Sequence, residues 1–406
     1  MKIAVIFTGG TIGSTEKDGY IAPGKGGGEK LLNSVSGVSL EGEWIYFTDS
    51  SVLQSNADRD EILYEAYIPM TILSENSTGL TIRNITESIE EVLRQPGLDG
   101  VIVTHGTDTL VYTAAALGYL FAESAVPIVV VSSNFILDSP LANGWDNFRY
   151  GVAFLAHLGR QNSISKECEN ASKGVFVSYR NRDGVPRIHR GTAVMAHQAY
   201  SDEVYSVLGK EYGSFEKDGE RCRFVRGESM DVISSVGFGQ GEDAMHQPDA
   251  GAGFDSRLAP QLRAPVTWNA PILQIYPYPG MEYPSIPVRT KAILHHSYHS
   301  GTICTDNDSN AAVFFAEAEK KGIPVFLSAA YGEGESHGEC DTFGIDKKHG
   351  ERSRYESTKA FEKYEIITLS AASPVAMYMK LWLLADSGED VIKWMKRKIP
   401  GDISLF

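Results

Sequence analysis

Cysteine is scarce in this chain: Cys168, Cys222, Cys304 and Cys340 are the whole complement of 4 in 406 residues. They lie far apart and match neither a zinc-ligand spacing nor a dense disulfide framework, so they read as free thiols of a cytoplasmic protein. Basic residues are in the minority too. With 37 Lys and Arg against 52 Asp and Glu, a formal net charge of -15 and no long basic run, the chain is not built to track nucleic-acid phosphates. No apolar run approaches the roughly 20 residues that a membrane helix needs. The N-terminus has neither an arginine-rich presequence nor a small-residue cleavage site after its short apolar segment. These absences leave chemistry on a small molecule as the expected function.

What is present is length and regular apolar patterning. An apolar fraction of 42% fits a globular protein long enough for more than one domain. The opening run Ile3-Ala4-Val5-Ile6-Phe7 has the composition of a strand buried on both faces, and it ends abruptly in Thr8-Gly9-Gly10-Thr11-Ile12-Gly13. Such a turn is either a plain strand-to-loop connection or a ligand loop, since in open α/β sheets ligands bind at the carboxyl ends of strands. Gly9 and Gly10 allow positive φ and close backbone approach.

The same grammar recurs along the chain. Residues 14 to 32 read as a mobile loop carrying Tyr20. Trp44 to Thr48 is a short strand ending in Asp49-Ser50-Ser51. Thr81 to Arg94 has apolar residues at helical spacing. Gly100 to Val103 is a buried strand running into Thr104-His105-Gly106-Thr107-Asp108-Thr109, with an Ala-rich helix from Leu110. Further strands are expected at 127–131 and 175–178, with a helix from about Trp145 to Leu158 between them. Strands alternating with helices predict an α/β fold: a larger N-terminal domain, residues 1–204, with a mostly parallel sheet flanked by helices. A Gly-rich irregular linker or insertion is expected over 205–268, followed by a smaller C-terminal α/β domain over 269–406.

Three strand-end loops thus offer hydroxyls: Thr11, Ser50 with Ser51, and Thr107 beside Asp108. Hydroxyls are weak nucleophiles that need a base or a favourable field, and Tyr20 and Asp108 are the groups at hand. Amides, hydroxyls and one carboxylate suit a small zwitterion. His295, His296 and His299 with Cys304 and Asp306 do not make a metal site, because adjacent histidines on a strand point to opposite faces.

The motifs Thr8-Gly9-Gly10-Thr11-Ile12-Gly13, Gly19-Tyr20-Ile21, Asp49-Ser50-Ser51 and His105-Gly106-Thr107-Asp108-Thr109 together resemble the bacterial-type L-asparaginase family, closest to its cytoplasmic type I branch. The resemblance implies hydrolysis of a side-chain amide, that of asparagine or glutamine, through an acyl-enzyme, with neither metal nor organic cofactor. Thr11 would be the nucleophile with Tyr20 beside it, and Thr107 the second threonine, positioning water and contributing to the oxyanion site. Asp108 and Ser50 would hold the substrate's α-ammonium and α-carboxylate, with Ser51 next to them. A homodimer or homotetramer with no nucleic-acid or membrane partner is implied.

One departure stands out. The family's lysine after the fourth strand would fall near Ala196-His197, and no lysine occurs from Gly174 to Gly209. His197 is the candidate substitute if its imidazolium reaches Thr107, with Arg180, Arg182, Arg187 or Arg190 turned inward as alternatives; the plainer and favoured reading is a satisfied surface or interface histidine and solvated arginines. A homologue that binds a small amino acid or another amide, with little asparaginase activity, is therefore the competing expectation.

Overall fold

The structure is a computed structural model. It describes residues 1–24, 27–48, 60–164, 173–198, 200–227, 265–306, 309–328, 359–369, 373–397 and 399–402. The chain divides into two compact units, Met1–Ser234 with Pro400–Ser404, and Ser235–Ile399 with Leu405–Phe406.

In the first unit the elements run β1 (Lys2–Phe7), β2 (Ser14–Lys17), β3 (Tyr20–Pro23), α1 (Gly27–Ser34), β4 (Gly37–Glu41), β5 (Trp44–Thr48), β6 (Asp60–Glu61), β7 (Leu63–Tyr67), α2 (Gly79–Leu93), β8 (Gly100–Thr104), α3 (Leu110–Leu120), β9 (Ile128–Val131), α4 (Gly144–Ile164), β10 (Val175–Arg180), β11 (Pro186–Arg190), β12 (Gly213–Asp218) and β13 (Arg221–Arg226). Eleven of these strands form one sheet in the order β6-β4-β5-β13-β12-β11-β10-β9-β8-β1-β7. From β7 to β10 every pairing is parallel. From β10 to β6 every pairing is antiparallel. The sheet is therefore mixed rather than mostly parallel, within the expected α/β class.

Period-two alternation decides what covers each face of the parallel part. Ile3, Val5 and Phe7 join Ile102, Val129, Val131 and Phe176 in one core with Leu31 of α1, with Val35 just after it, and with Phe148 and Phe154 of α4. The alternate residues Ala4, Ile6, Val101 and Val103 are fully buried as well, on the side where α2 packs on β1 and α3 on β10. Burial on both faces explains why these strands read as unbroken apolar runs.

Two segments expected to be irregular are hairpins. Residues 14–23 fold as β2 and β3 around Asp18-Gly19, both at positive φ (55° and 80°), the backbone of a type I′ turn. Residues 213–226 pair as β12 and β13 across the two-residue turn Gly219-Glu220 and extend the large sheet. Their alternation is hidden by charge: Phe215 and Cys222 point inward, while Glu216 faces Arg223 and Asp218 faces Arg221 across the ladder. The expected linker is thus corrected for 213–226, and 228–264 lies outside the described residues.

The second unit holds a parallel sheet in the order β14 (Ile272–Ile275), β15 (Ala292–His296), β16 (Val325–Ser328) and β17 (Ile367–Thr368). Its helices are α5 (Ala311–Lys320), α6 (Lys359–Lys363), α7 (Pro374–Ser387) and α8 (Val391–Met395). His295 bonds the Tyr283 hydroxyl at 2.8 Å and His296 bonds Gln274 and Ser328 at 3.1 and 3.0 Å, so the two rings are engaged separately. Among the described residues no group of His, Cys, Asp and Glu is arranged to hold a metal ion, and no helix is long and apolar enough to cross a membrane.

Phe215 packs against Tyr150 at 4.9 Å and Phe224 at 5.4 Å between ring centroids. Phe215→Ala is expected to destabilise the first unit by about 3 kcal/mol in urea unfolding. Buried histidines set the acid limit. Burial holds His189 down at about 3, and His295 and His296 at about 4, below the unfolded value near 6.5. A lowered native pKa keeps its stabilisation above the unfolded pKa and loses it as pH falls, at about 1.4 kcal/mol per pH unit for each ring. The urea midpoint should therefore drop steadily from about pH 6.5 to about pH 4, and His189→Gln should flatten that slope.

Candidate active site

The site grows from the carboxyl ends of the neighbouring strands β7, β1 and β8. Thr8 donates its hydroxyl to the Thr104 carbonyl at 2.6 Å, and its amide donates to the Thr104 hydroxyl at 3.3 Å. Gly10 N donates to Ile72 O at 2.7 Å and Ile72 N to Thr8 O at 3.1 Å. Gly9 and Gly10 both have positive φ, 101° and 73°. A Cβ on Gly10 would lie 2.3 Å from the amide nitrogen of Gly106, and one on Gly106 would lie 2.4 Å from Ser74 Oγ. The Thr8–Gly13 loop meets Ile72 and Gly106 backbone on backbone, Gly106 meets the Ser74 side chain, and only glycine fits at these points.

Thr11 opens a single helical turn, Thr11–Gly13, whose Ile12 is buried. Ser14 fixes that turn by donating to Gly10 O at 2.8 Å. In the second loop His105 is fully buried, its Nδ1 2.8 Å from Gly106 O and its Nε2 3.0 Å from the Thr113 hydroxyl. Burial lowers its pKa. The ring is thus neutral, donating from Nδ1 to the carbonyl and accepting from Thr113, and it acts as a strut between the loop and α3. Asp108 stands at the mouth of this loop and accepts from Ser74 Oγ at 3.1 Å. Thr109 in turn donates to Ser74 O at 2.9 Å.

Ser74, 4% exposed, is the residue that sequence reasoning missed. Its signal was the polar run Ser74-Glu75-Asn76-Ser77-Thr78 just before α2. That run completes a third strand-end loop, but β7 does not read as a strand because it is a half-exposed edge. Ser50 and Ser51 lie outside the described residues. The strand leading to them, β5, sits between β4 and β13, whereas the strand adjoining β1 is β7.

Thr11, Thr107 and Asp108 belong to loops that touch. Tyr20 does not join them: it lies on β3, 78% exposed, with no hydrogen bond to the Thr11 loop among the described residues. His197 is half-buried, with Nδ1 3.1 Å from Glu203 O. Burial lowers its pKa against the pull of that carbonyl, Asp108 and Asp202. That direction disfavours the imidazolium. The arginines are engaged elsewhere. Arg180 pairs with Asp146, Arg182 with Asp202 and Arg187 with Asp183. Arg190 donates to Lys173 O and lies over the rings of Phe176 and Tyr212.

Comparison with known proteins gives the family of this chain. The model of the asparaginase N-terminal domain matches residues 2–211, and the chain belongs to the asparaginase family. It is similar over its full length to the L-asparaginase of Thermococcus kodakarensis, 23% identical over 411 residues covering 100% of this chain and 99% of the relative. The solved structure of that enzyme superimposes with a TM-score of 0.62 at 20% identity, covering 100% of this chain and 99% of its own. A probable cytoplasmic L-asparaginase from Campylobacter jejuni gives a TM-score of 0.57 at 21% identity over 97% of both chains. A component of the glutamyl-tRNA(Gln) amidotransferase of Methanosarcina barkeri is 32% identical over 214 residues, 52% of this chain. The match spans only 43% of that relative.

Gly10→Ala puts a methyl group into the Gly106 backbone at a left-handed φ. It is expected to cost about 3 kcal/mol or more in denaturant unfolding, whereas Gly13→Ala, with open space around it, should cost less than about 1 kcal/mol.

Proposed function

We propose that the chain hydrolyses the side-chain amide of L-asparagine or a close relative through an acyl-enzyme on Thr11. The observation that carries this reading is the nesting of the Thr11, Ser74 and Thr107 loops through Gly10 and Gly106, which gathers two threonines, a serine and a carboxylate at one strand-end crevice. Thr11 Oγ1 bonds to the amide carbon, the carbon–nitrogen bond breaks, and ammonia leaves. Water then cleaves the ester and restores the hydroxyl. Thr107 positions that water and contributes to the oxyanion site, where a preorganised donor supplies roughly 3 kcal/mol of transition-state stabilisation. Asp108 pairs with the substrate's α-ammonium. Ser74, already bonded to Asp108, takes in this reading the α-carboxylate role that the sequence assigned to Ser50 and Ser51. Tyr20 takes part when the β2–β3 hairpin folds over the Thr11 turn.

As an acyl transfer from the amide to a hydroxyl and then to water, the reaction calls for neither metal nor organic cofactor, and we place it in the cytoplasm in a homodimer or homotetramer. A second reading is favoured by the lack of a lysine from Gly174 to Gly209 and by the engagement of Arg180, Arg182, Arg187 and Arg190: a homologue that binds a small amino acid or a larger amide and turns asparagine over slowly. Ammonia release from a panel of asparagine, glutamine and larger asparaginyl amides separates the two. The expected result is release that Thr11→Ala reduces by about a thousandfold or more. No release from any amide, with aspartate still raising the Tm, overturns the first reading in favour of the second.

A further inference from the structure

Helix α3 carries the Thr107–Asp108 loop at its N-terminal end. The amide of Leu110 donates to Thr107 O at 3.3 Å and that of Thr113 to Thr109 O at 3.1 Å. The Thr113 hydroxyl is bonded to His105 Nε2 at 3.0 Å, so the first turn of the helix and the loop before it form one piece. Along most of its length α3 is buried, with Leu110, Val111 and the run from Ala114 to Leu117 all at 1% exposure or less. Apolar packing of that kind is non-directional, and it leaves open where along its own axis the helix sits.

The axial position is set towards the other end, by backbone contact and by two hydroxyls. A Cβ on Gly191 would lie 2.6 Å from Ala114 O, and one on Gly118 would lie 2.8 Å from Thr192 Cγ2, so the turn Gly191–Ala193 presses on the helix itself. The chain enters the first unit a second time at Pro400–Ser404. Gly401, at φ 98°, comes so near α3 that a Cβ on it would lie 2.9 Å from Gly118 O. The Thr192 hydroxyl donates to Gly401 O at 2.7 Å, and the Tyr119 hydroxyl donates to Asp402 Oδ1 at 3.0 Å. Thr192 and Tyr119 are both buried. Satisfied buried polar bonds specify one arrangement where apolar contact tolerates several.

We propose that Thr192 and Tyr119 are positioning residues for the reaction: by holding Gly401–Asp402 against α3 they set the seat of that helix, and with it the placement of Thr107 and Asp108. They act through the helix and not on substrate. The rod between is stiff, roughly 16 Å from Asp108 to Tyr119 at a rise of about 1.5 Å per residue. A shift of about 1 Å passed along it to the loop is enough to cost roughly a hundredfold in rate.

The kinetic part of this proposal rests on the amidohydrolase reading, and the measurements separate their failures. Thr192→Val and Tyr119→Phe each remove one donor and keep the shape of the side chain. In the double variant the amides of Leu110 and Thr113 are expected to exchange hydrogen about tenfold faster, while those paired between β12 and β13 keep their wild-type rates. Its kcat for ammonia release should fall about tenfold, and KM should rise because Asp108 holds the substrate's ammonium in that reading. Thr192→Ser, which keeps the hydroxyl, should retain wild-type exchange and kinetics. Wild-type kcat and KM in the double variant overturn the positioning role whatever the exchange shows, as does unchanged exchange at Leu110 and Thr113. Should the double variant fail to fold, Tyr119→Phe alone carries both readouts. No ammonia from any amide in the wild type overturns the amidohydrolase reading itself, and the Leu110 and Thr113 amides still decide the seating of α3.

Discussion

Backbone-to-backbone contact between Gly10 and Gly106 is the constraint on which the site depends. It holds the ends of β1 and β8 closer than any side chain allows, and the lateral bonds between Thr8 and Thr104 fix the register of that approach. Because Gly106 in turn abuts Ser74, the contact passes to β7 and makes one unit of three loops that are far apart in sequence. The hydroxyls of Thr11 and Thr107 are carried by tight turns rather than by long side chains. Preorganisation of this kind is what a weak nucleophile needs, since its rate depends on geometry fixed before substrate arrives.

Electrostatics divides the same region into settled and unsettled parts. Cations on and beside β10 and β11 are tied to structural work: Arg180, Arg182 and Arg187 to acids, Arg190 to a carbonyl and two aromatic faces. His105 is buried and bonded at both nitrogens, so it acts as a strut for the loop. His197 differs in that its second nitrogen has no partner among the described residues. The two histidines are thus distinguished by their hydrogen bonds, a distinction that residue type does not carry.

The architecture around this centre was legible where burial was complete. Strands β1, β8, β9 and β10 and helices α2, α3 and α4 follow from apolar runs and helical periodicity, because core burial writes itself into composition. The hairpins were not legible in the same way. In β12 and β13 charged cross-strand pairs mask the inward Phe215 and Cys222, and in β7 one exposed edge dilutes the alternation that would have marked it. Missing β7 is what hid Ser74.

The sequence by itself determined the α/β class, the two threonine loops and the glycines that let them meet, since each is local: a strand, a turn and a backbone conformation. Tertiary structure alone decided which third loop lies beside them, that Tyr20 stands exposed on its hairpin, and that burial lowers the pKa of His197. Sheet order is set by long-range pairing, and protonation by burial and partners contributed from other strands. Neither quantity has a local signature in the chain.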